Sequence, residues 1–160
     1  MPSKTIPMIV LLLALSSACD PATPAPAASL ELTASDQEEI LALPAAYAER
    51  ALAGDLVSWS EVFHVDALRM NAGMPPLEGR QAILDWIMGS GLVVHHLDIT
   101  IHEMEGNRQL AWLRGAFRME GGLISDDQVA LEDEGKFLMI VQPDDEGRWL
   151  VYRHIAHSDL

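Results

Sequence analysis

The spacing of hydrophobic residues changes partway along the chain. Between residues 35 and 91 apolar side chains recur every third or fourth position, as in Ile40, Leu43 and Tyr47, which indicates amphipathic helices. From Leu92 onward apolar and polar residues alternate, which indicates half-buried β-strands. The pattern therefore predicts an α+β domain in which helices come first and a strand meander follows.

Three helices are predicted before the meander. The first has about 18 residues, begins at a capping box formed by Ser35 and Glu38, and ends at Gly54. Pro44 removes one backbone donor inside it, so we expect a kink or a restart there. The second and third helices are predicted in the segments "DLVSWSEVF" (55–63) and "GRQAILDWIMGSG" (79–91).

A short strand, "ALRMN" (67–71), separates the last two helices, and four longer strands follow. These are "VVHHLDITIHEME" (93–105), "RQLAWLRGAFRME" (108–120), "GKFLMIVQ" (135–142) and "RWLVYRHIAH" (148–157). The third of them is apolar on both faces, which predicts a place in the middle of the sheet. We expect a curved antiparallel sheet that the three N-terminal helices cover on one face, enclosing a cone-shaped cavity.

The N-terminus has the features of a secretory lipoprotein. Residues 1–18 combine Lys4, a short apolar run and small residues, as in a signal peptide, and Cys19, the only cysteine of the chain, follows at once. We expect a lipid on Cys19, a Pro/Ala-rich tether over 19–31 and a folded domain over 32–160. The predicted location is the cell envelope, on the periplasmic or exterior side; the alternative is ordinary cleavage after Ala18 with a free thiol.

Charge excludes some classes of partner. The formal net charge of −14 disfavours binding of nucleic acid and of anionic lipid head groups.

A metal site is not expected either, since His96 and His102 would lie roughly 20 Å apart on one strand. The sequence has no phosphate-binding glycine loop, so no cofactor is predicted.

Three segments carry a family resemblance. In their order, "AAYAERALAGD" (45–55), "PPLEGRQAI" (75–83) and the C-terminal run from Gly135 to Leu160 resemble the nuclear transport factor 2-like superfamily. The likeness covers residues 33–160 and is greatest to its bacterial SnoaL-like and steroid-isomerase-like branch. That superfamily includes isomerases, hydratases, cyclases and dehydratases, as well as non-catalytic binding and assembly modules, so the resemblance implies a fold and not an activity.

The resemblance implies that this sequence keeps one of the three catalytic groups of steroid isomerases. Tyr47 takes the place of the tyrosine that stabilises the enolate, whereas Met70 or Asn71 takes that of the proton-moving aspartate. Met139 stands where the protonated acid would be. Because methionine carries no proton and an amide is too weak a base, the steroid-isomerase reaction is not expected.

Other side chains remain candidates for chemistry. His154 is a candidate base that could pair with Asp133 or Glu134, or a structural histidine. Arg114, on the same strand face as Trp112, could contact an anionic ligand or form an ion pair across the sheet. The candidate ligand contacts are Trp59, Met70, Asn71, Trp112, Arg114 and Met139.

Three hypotheses for function follow. The first is a binding domain, catalytically inert or weakly active, whose cavity accepts a small apolar molecule. The second is a cofactor-independent lyase, cyclase or isomerase with Tyr47 and His154 as its catalytic residues. The third is an assembly module, with a homodimer formed through the sheet as its simplest case.

Overall fold

Three helices and six strands make up the computed structural model, which describes residues 30–160 apart from the side chains of 127–129. The helices are α1 (Ala34–Leu52), α2 (Leu56–Ser60) and α3 (Arg80–Ser90). The strands are β1 (Phe63–Asn71), β2 (Leu77–Glu78), β3 (Leu92–Asn107), β4 (Leu110–Leu123), β5 (Asp126–Pro143) and β6 (Trp149–Ser158). The predicted signal peptide and Cys19 lie outside the described residues. Within 30–160, no helix combines the length and apolarity needed to cross a membrane.

The six strands form one curved sheet that does not close into a barrel, in the order β2-β1-β6-β5-β4-β3. α1 packs against β3 and β6, and α3 packs against β1. The predicted α+β class, with a curved sheet and helices over one face, is confirmed. The sheet is mixed rather than purely antiparallel, because β1 and β6 run parallel. After β1 the chain continues through β2 and α3. It pairs with the other edge of β1 only in the last strand, β6.

The first helix begins two residues earlier than predicted. Thr33, rather than Ser35, is its N-cap: the Thr33 hydroxyl accepts from the Asp36 N–H at 3.1 Å, and the Asp36 carboxylate accepts from the Thr33 N–H at 2.8 Å. The capping box predicted from Ser35 and Glu38 is wrong because a matching pair stands two residues upstream. α1 is continuous through Pro44, so the predicted restart is absent.

Asp36 also ties α1 to the sheet. Its second carboxylate oxygen accepts from the indole N–H of the buried Trp149 in β6 at 3.1 Å. The hydrogen bonds from Thr33 and Trp149 lower the pKa of Asp36. The start of the helix is therefore fixed against the strand that borders β1.

The second helix is shorter than predicted. Asp55 caps it by accepting from the Ser58 N–H at 3.1 Å, and it ends at Ser60. Phe63, predicted on the helix, starts β1 instead because it pairs with Val151 of β6 and is fully buried. This pairing is a tertiary interaction, so the local helical spacing could not reveal it.

The long strands follow the predicted alternation. In β4, Leu113 is fully buried, while Arg114 and Arg118 are exposed on the opposite face. β5 lies between β4 and β6, as its apolar character on both faces predicts. The face covered by the helices and the outer face can therefore be assigned residue by residue.

Two glycines let neighbouring strands approach closely. A side chain at Gly115 in β4 would overlap the carbonyl oxygen of Thr100 in β3. A side chain at Gly135 in β5 would overlap the carbonyl oxygen of His157 in β6. Glycine at such positions is typical of strands that bend, so these two residues accommodate the curvature of the sheet.

The cap assignment can be tested by two alanine substitutions in the first turn of α1. Thr33→Ala removes the N-cap acceptor and should lower the free energy of unfolding by about 1 kcal/mol. Ser35→Ala removes only an exposed hydrogen bond to Glu39 and should change it by less than about 0.5 kcal/mol. Denaturant unfolding measures both values, and a larger loss for Ser35→Ala would contradict the assignment.

Candidate functional site

A cavity of about 570 Å³ lies between the helices and the sheet. All three helices and strands β1 and β3 to β6 contribute to its wall, and most of the lining side chains are apolar. Its volume lies within the range of about 300–1,000 Å³ that small-molecule sites occupy. The polar side chains that line it are Tyr47, Arg69, Asn71, Asp133, His154 and Ser158.

Arg69 of β1 is the cation of this wall. Its side chain is only 8% exposed and stands opposite His154 in the parallel pairing of β1 with β6. Its Nε donates to Asn71 Oδ1 at 3.3 Å and its Nη2 donates to the Tyr47 hydroxyl at 3.4 Å, while its Nη1 has no partner. None of the Asp and Glu side chains that the structure describes forms an ion pair with Arg69.

Two tryptophans contact the Arg69 guanidinium. Its central carbon lies 5.3 Å from the ring centroid of Trp59 on α2 and 4.9 Å from that of Trp86 on α3. Cation–π attraction of this kind stabilises a positive charge without a counter-ion. The charge is therefore held by neutral groups alone: two indole rings, one phenol and one amide.

His154 is buried in the same part of the cavity. Its ring centroid lies 6.0 Å from that of Tyr47 and 6.2 Å from that of Phe63, and its Nδ1 has no hydrogen-bond partner. Burial, and secondarily the charge of Arg69, lower the pKa of His154 to about 3. The imidazole is therefore neutral near pH 7 and a poor acceptor for a proton on carbon.

Asp133 lies farther along the sheet. It stands opposite Met119 of β4, and its Oδ1 is buried without a partner. Met139, which stands opposite His154, is six residues away on β5, or about 20 Å along an extended strand. The hypothesised pairing of His154 with Asp133 or with the exposed Glu134 is not formed.

Five of the predicted site residues line the cavity: Tyr47, Trp59, Asn71, Met139 and His154. Three others do not. Met70 follows Arg69 on β1 and pairs with Ile155, so it belongs to the opposite face. Trp112 and Arg114 occupy the outer face of β4, where Arg114 forms an ion pair with Glu103.

Arg69 itself is missing from the residues singled out by sequence. A usable signal existed, because Arg69 precedes Asn71 by two positions and alternate residues of a strand share a face. Trp86 is also missing from the predicted site, and Asp133 was predicted only as a possible partner of His154.

No three His, Cys, Asp or Glu side chains come together as metal ligands anywhere in the described part of the chain. His96 contacts Asp98 at 2.8 Å on an exposed face of β3. The polar groups of the cavity are therefore a cation, a neutral imidazole, a phenol, an amide, a carboxyl group and a hydroxyl group.

No protein-family profile matches this sequence, and no curated protein matches it. Solved structures do match the fold. A ketosteroid isomerase-like protein from Erwinia carotovora atroseptica SCRI1043 superimposes with a TM-score of 0.70 at 15% identity, over 80% of this chain and 99% of that one.

Two further structures agree with this likeness. A conserved protein from Planctomyces limnophilus gives a TM-score of 0.69 at 17% identity, over 78% of this chain and 96% of that one. An NTF2-like protein with a cystatin-like fold from Novosphingobium aromaticivorans gives 0.59 at 21% identity, over 78% and 82%. At these identities the likeness shows the nuclear transport factor 2-like, cystatin-like fold and nothing about activity.

A buried charge without a counter-ion should weaken the fold. Arg69→Met keeps the contacts with both tryptophans and removes a desolvated charge, so we expect it to raise the free energy of unfolding by about 1–2 kcal/mol. Arg80→Met is the matched control: it removes the donor that binds the Phe63 carbonyl at 2.7 Å and should lower stability by about 1 kcal/mol. If Arg69→Met also destabilises by 1 kcal/mol or more, Arg69 is a structural anchor.

His154 should make stability depend on pH. Its pKa is lower in the folded chain than the ordinary value of 6.5, so the unfolded chain takes up the proton first as pH falls, and the folded state loses stability. Above pH 6.5 the neutral His154 makes its full contribution to the free energy of unfolding. By pH 5.5 about 1.4 kcal/mol of that contribution should be lost.

Denaturant unfolding at pH 8 and at pH 5.5 measures this loss of stability. Both pH values lie above the isoelectric point of about 4.6. His154→Gln should remove the histidine contribution, whereas His157→Gln, at an exposed position of the same strand, should retain it. An equal pH dependence in wild type and His154→Gln would show that His154 does not carry the effect.

Proposed function

We propose that this domain binds a small, predominantly apolar molecule in the cavity between its helices and its sheet, with little or no turnover. The observation that carries the proposal is the cavity itself: about 570 Å³ with a mostly apolar wall and a few polar side chains gathered around Arg69. Apolar walls with few, placed polar groups are typical of small-molecule sites. The fold alone would not support this conclusion, since its relatives include proteins of many kinds.

The protonation state of His154 favours binding over catalysis. Tyr47 and His154 face the same cavity, so they remain the residues on which a lyase, cyclase or isomerase would depend. A histidine with a pKa of about 3 accepts a proton poorly near neutral pH. Met139, opposite His154, offers no acidic group to stabilise a developing negative charge.

We further propose that the domain acts at the cell envelope. Lipidation of Cys19 and the Pro/Ala-rich tether over 19–31 would hold it near the membrane on the periplasmic or exterior side. A net charge of −14 would keep the domain itself away from anionic head groups. The cavity would then be available to molecules that reach the envelope.

A thermal-unfolding screen of the purified chain tests the binding proposal. The compounds are fatty acids, steroids, polyketides and small apolar carbonyl compounds. A ligand at about 100 times its Kd adds about 2.7 kcal/mol to the free energy of unfolding, which raises Tm by several degrees in a domain of this size.

Two neighbouring substitutions show whether a hit occupies the cavity. Ala156 lines the cavity, so Ala156→Trp should fill part of it and abolish the rise in Tm. Ile155 points to the other face of β6 and is 38% exposed, so Ile155→Trp should leave the rise intact. Absence of any stabilising compound would contradict the proposed function, and equal loss in both variants would place binding elsewhere.

A further inference from the structure

The Arg69 guanidinium is a buried charge whose partners among the described residues are all neutral. Its two protein hydrogen bonds are long, at 3.3 and 3.4 Å, and the third nitrogen has none. Buried arginines ordinarily pair with a carboxylate, because desolvating the charge is otherwise unfavourable. An anionic group is therefore the partner that the chemistry of this guanidinium favours.

The described residues of the cavity wall do not place a carboxylate beside Arg69. Asp133 is the acidic residue that lines the cavity within the described residues, and by strand register it lies about 20 Å from Met139, which adjoins His154 and Arg69 across the sheet. Arg69 and Asp133 thus stand at separate parts of the wall.

We propose that the ligand of this cavity is an apolar monocarboxylate whose carboxylate pairs with the guanidinium of Arg69. This inference rests on the proposed function and adds to it the chemical class of the ligand. The planar fork of a guanidinium matches a carboxylate, and the phenol of Tyr47 stands beside it as a further donor. The apolar body of the ligand extends along β4 and β5 toward Phe117 and Met119.

The charges of the wall favour a single negative charge. Arg69 is the one Lys or Arg that lines the cavity within residues 30–160, and His154 is neutral near pH 7. A phosphate monoester would bring up to two negative charges to this one cation. Asp133 would oppose a second anionic group at the other part of the wall. A monocarboxylate matches the single positive charge of Arg69.

The test compares ligands that differ only in charge. Decanoate and decanamide share one apolar chain, and 2-naphthaleneacetate and 2-naphthaleneacetamide share one ring system. Isothermal titration of the full-length chain at pH 8, where both acids are ionised, gives the Kd of each compound. We expect at least one carboxylate to bind about tenfold or more tightly than its amide, as charge-assisted hydrogen bonds discriminate by this order.

Three variants of Arg69 and one control variant of Arg114 show whether Arg69 causes the preference for a carboxylate over its amide. Arg69→Gln and Arg69→Met remove the charge and should reduce the ratio of the two Kd values to about one, while Arg69→Lys, which keeps the charge but not the fork, should retain part of it. Arg114→Gln removes the same charge from the outer face and should leave the ratio unchanged. Near-ultraviolet circular dichroism of each variant confirms that its aromatic packing is native.

The outcomes separate this inference from the proposed function. Equal binding of a carboxylate and its amide to the wild-type chain would overturn the inference and support a binding cavity for neutral molecules. A carboxylate preference that survives in both Arg69→Gln and Arg69→Met would also overturn it. Absence of binding by all four compounds would overturn the inference, while the proposed function would still be decided by the wider unfolding screen.

Discussion

The parallel pairing of β1 with β6 determines which side chains reach the cavity. It sets Arg69 opposite His154 and Asn71 opposite Ala156, so that these four residues share the face that the helices cover. A slip of one residue would turn Arg69 to the outer face and bring Met70 inward. The position of the charge in the wall is thus a property of strand register rather than of local sequence.

The wall of the cavity is continuous with the hydrophobic core. Trp59 lines the cavity and also packs edge to face against Phe63, with ring centroids 5.1 Å apart, and Phe63 is fully buried. Tyr47 contacts both rings and also accepts a hydrogen bond from Arg69. The side chains that hold the guanidinium are therefore fixed by core packing, which pre-organises the site before any ligand arrives.

Much of the fold could be predicted from hydrophobic spacing, whereas the site could be predicted only in part. Alternation along β3 to β6 reports which face is buried, and the two-sided apolar run of β5 reports a central strand. The strand at Phe63 could not be predicted, because its pairing partner lies far away in sequence. Its spacing of two residues from Asn71 could have placed Arg69 on the cavity face, but nothing local shows that an arginine in a short strand lacks a carboxylate partner.

The strands approach closely at Gly115 and Gly135, and neither glycine lines the cavity. A side chain at either glycine would overlap the neighbouring strand, while the cavity is lined by other residues of the same strands, such as Phe117 and Met139. The residues at which the strands approach and the residues that line the cavity are therefore different. Structures that share this fold at 15–21% identity show how little of the sequence its shape requires.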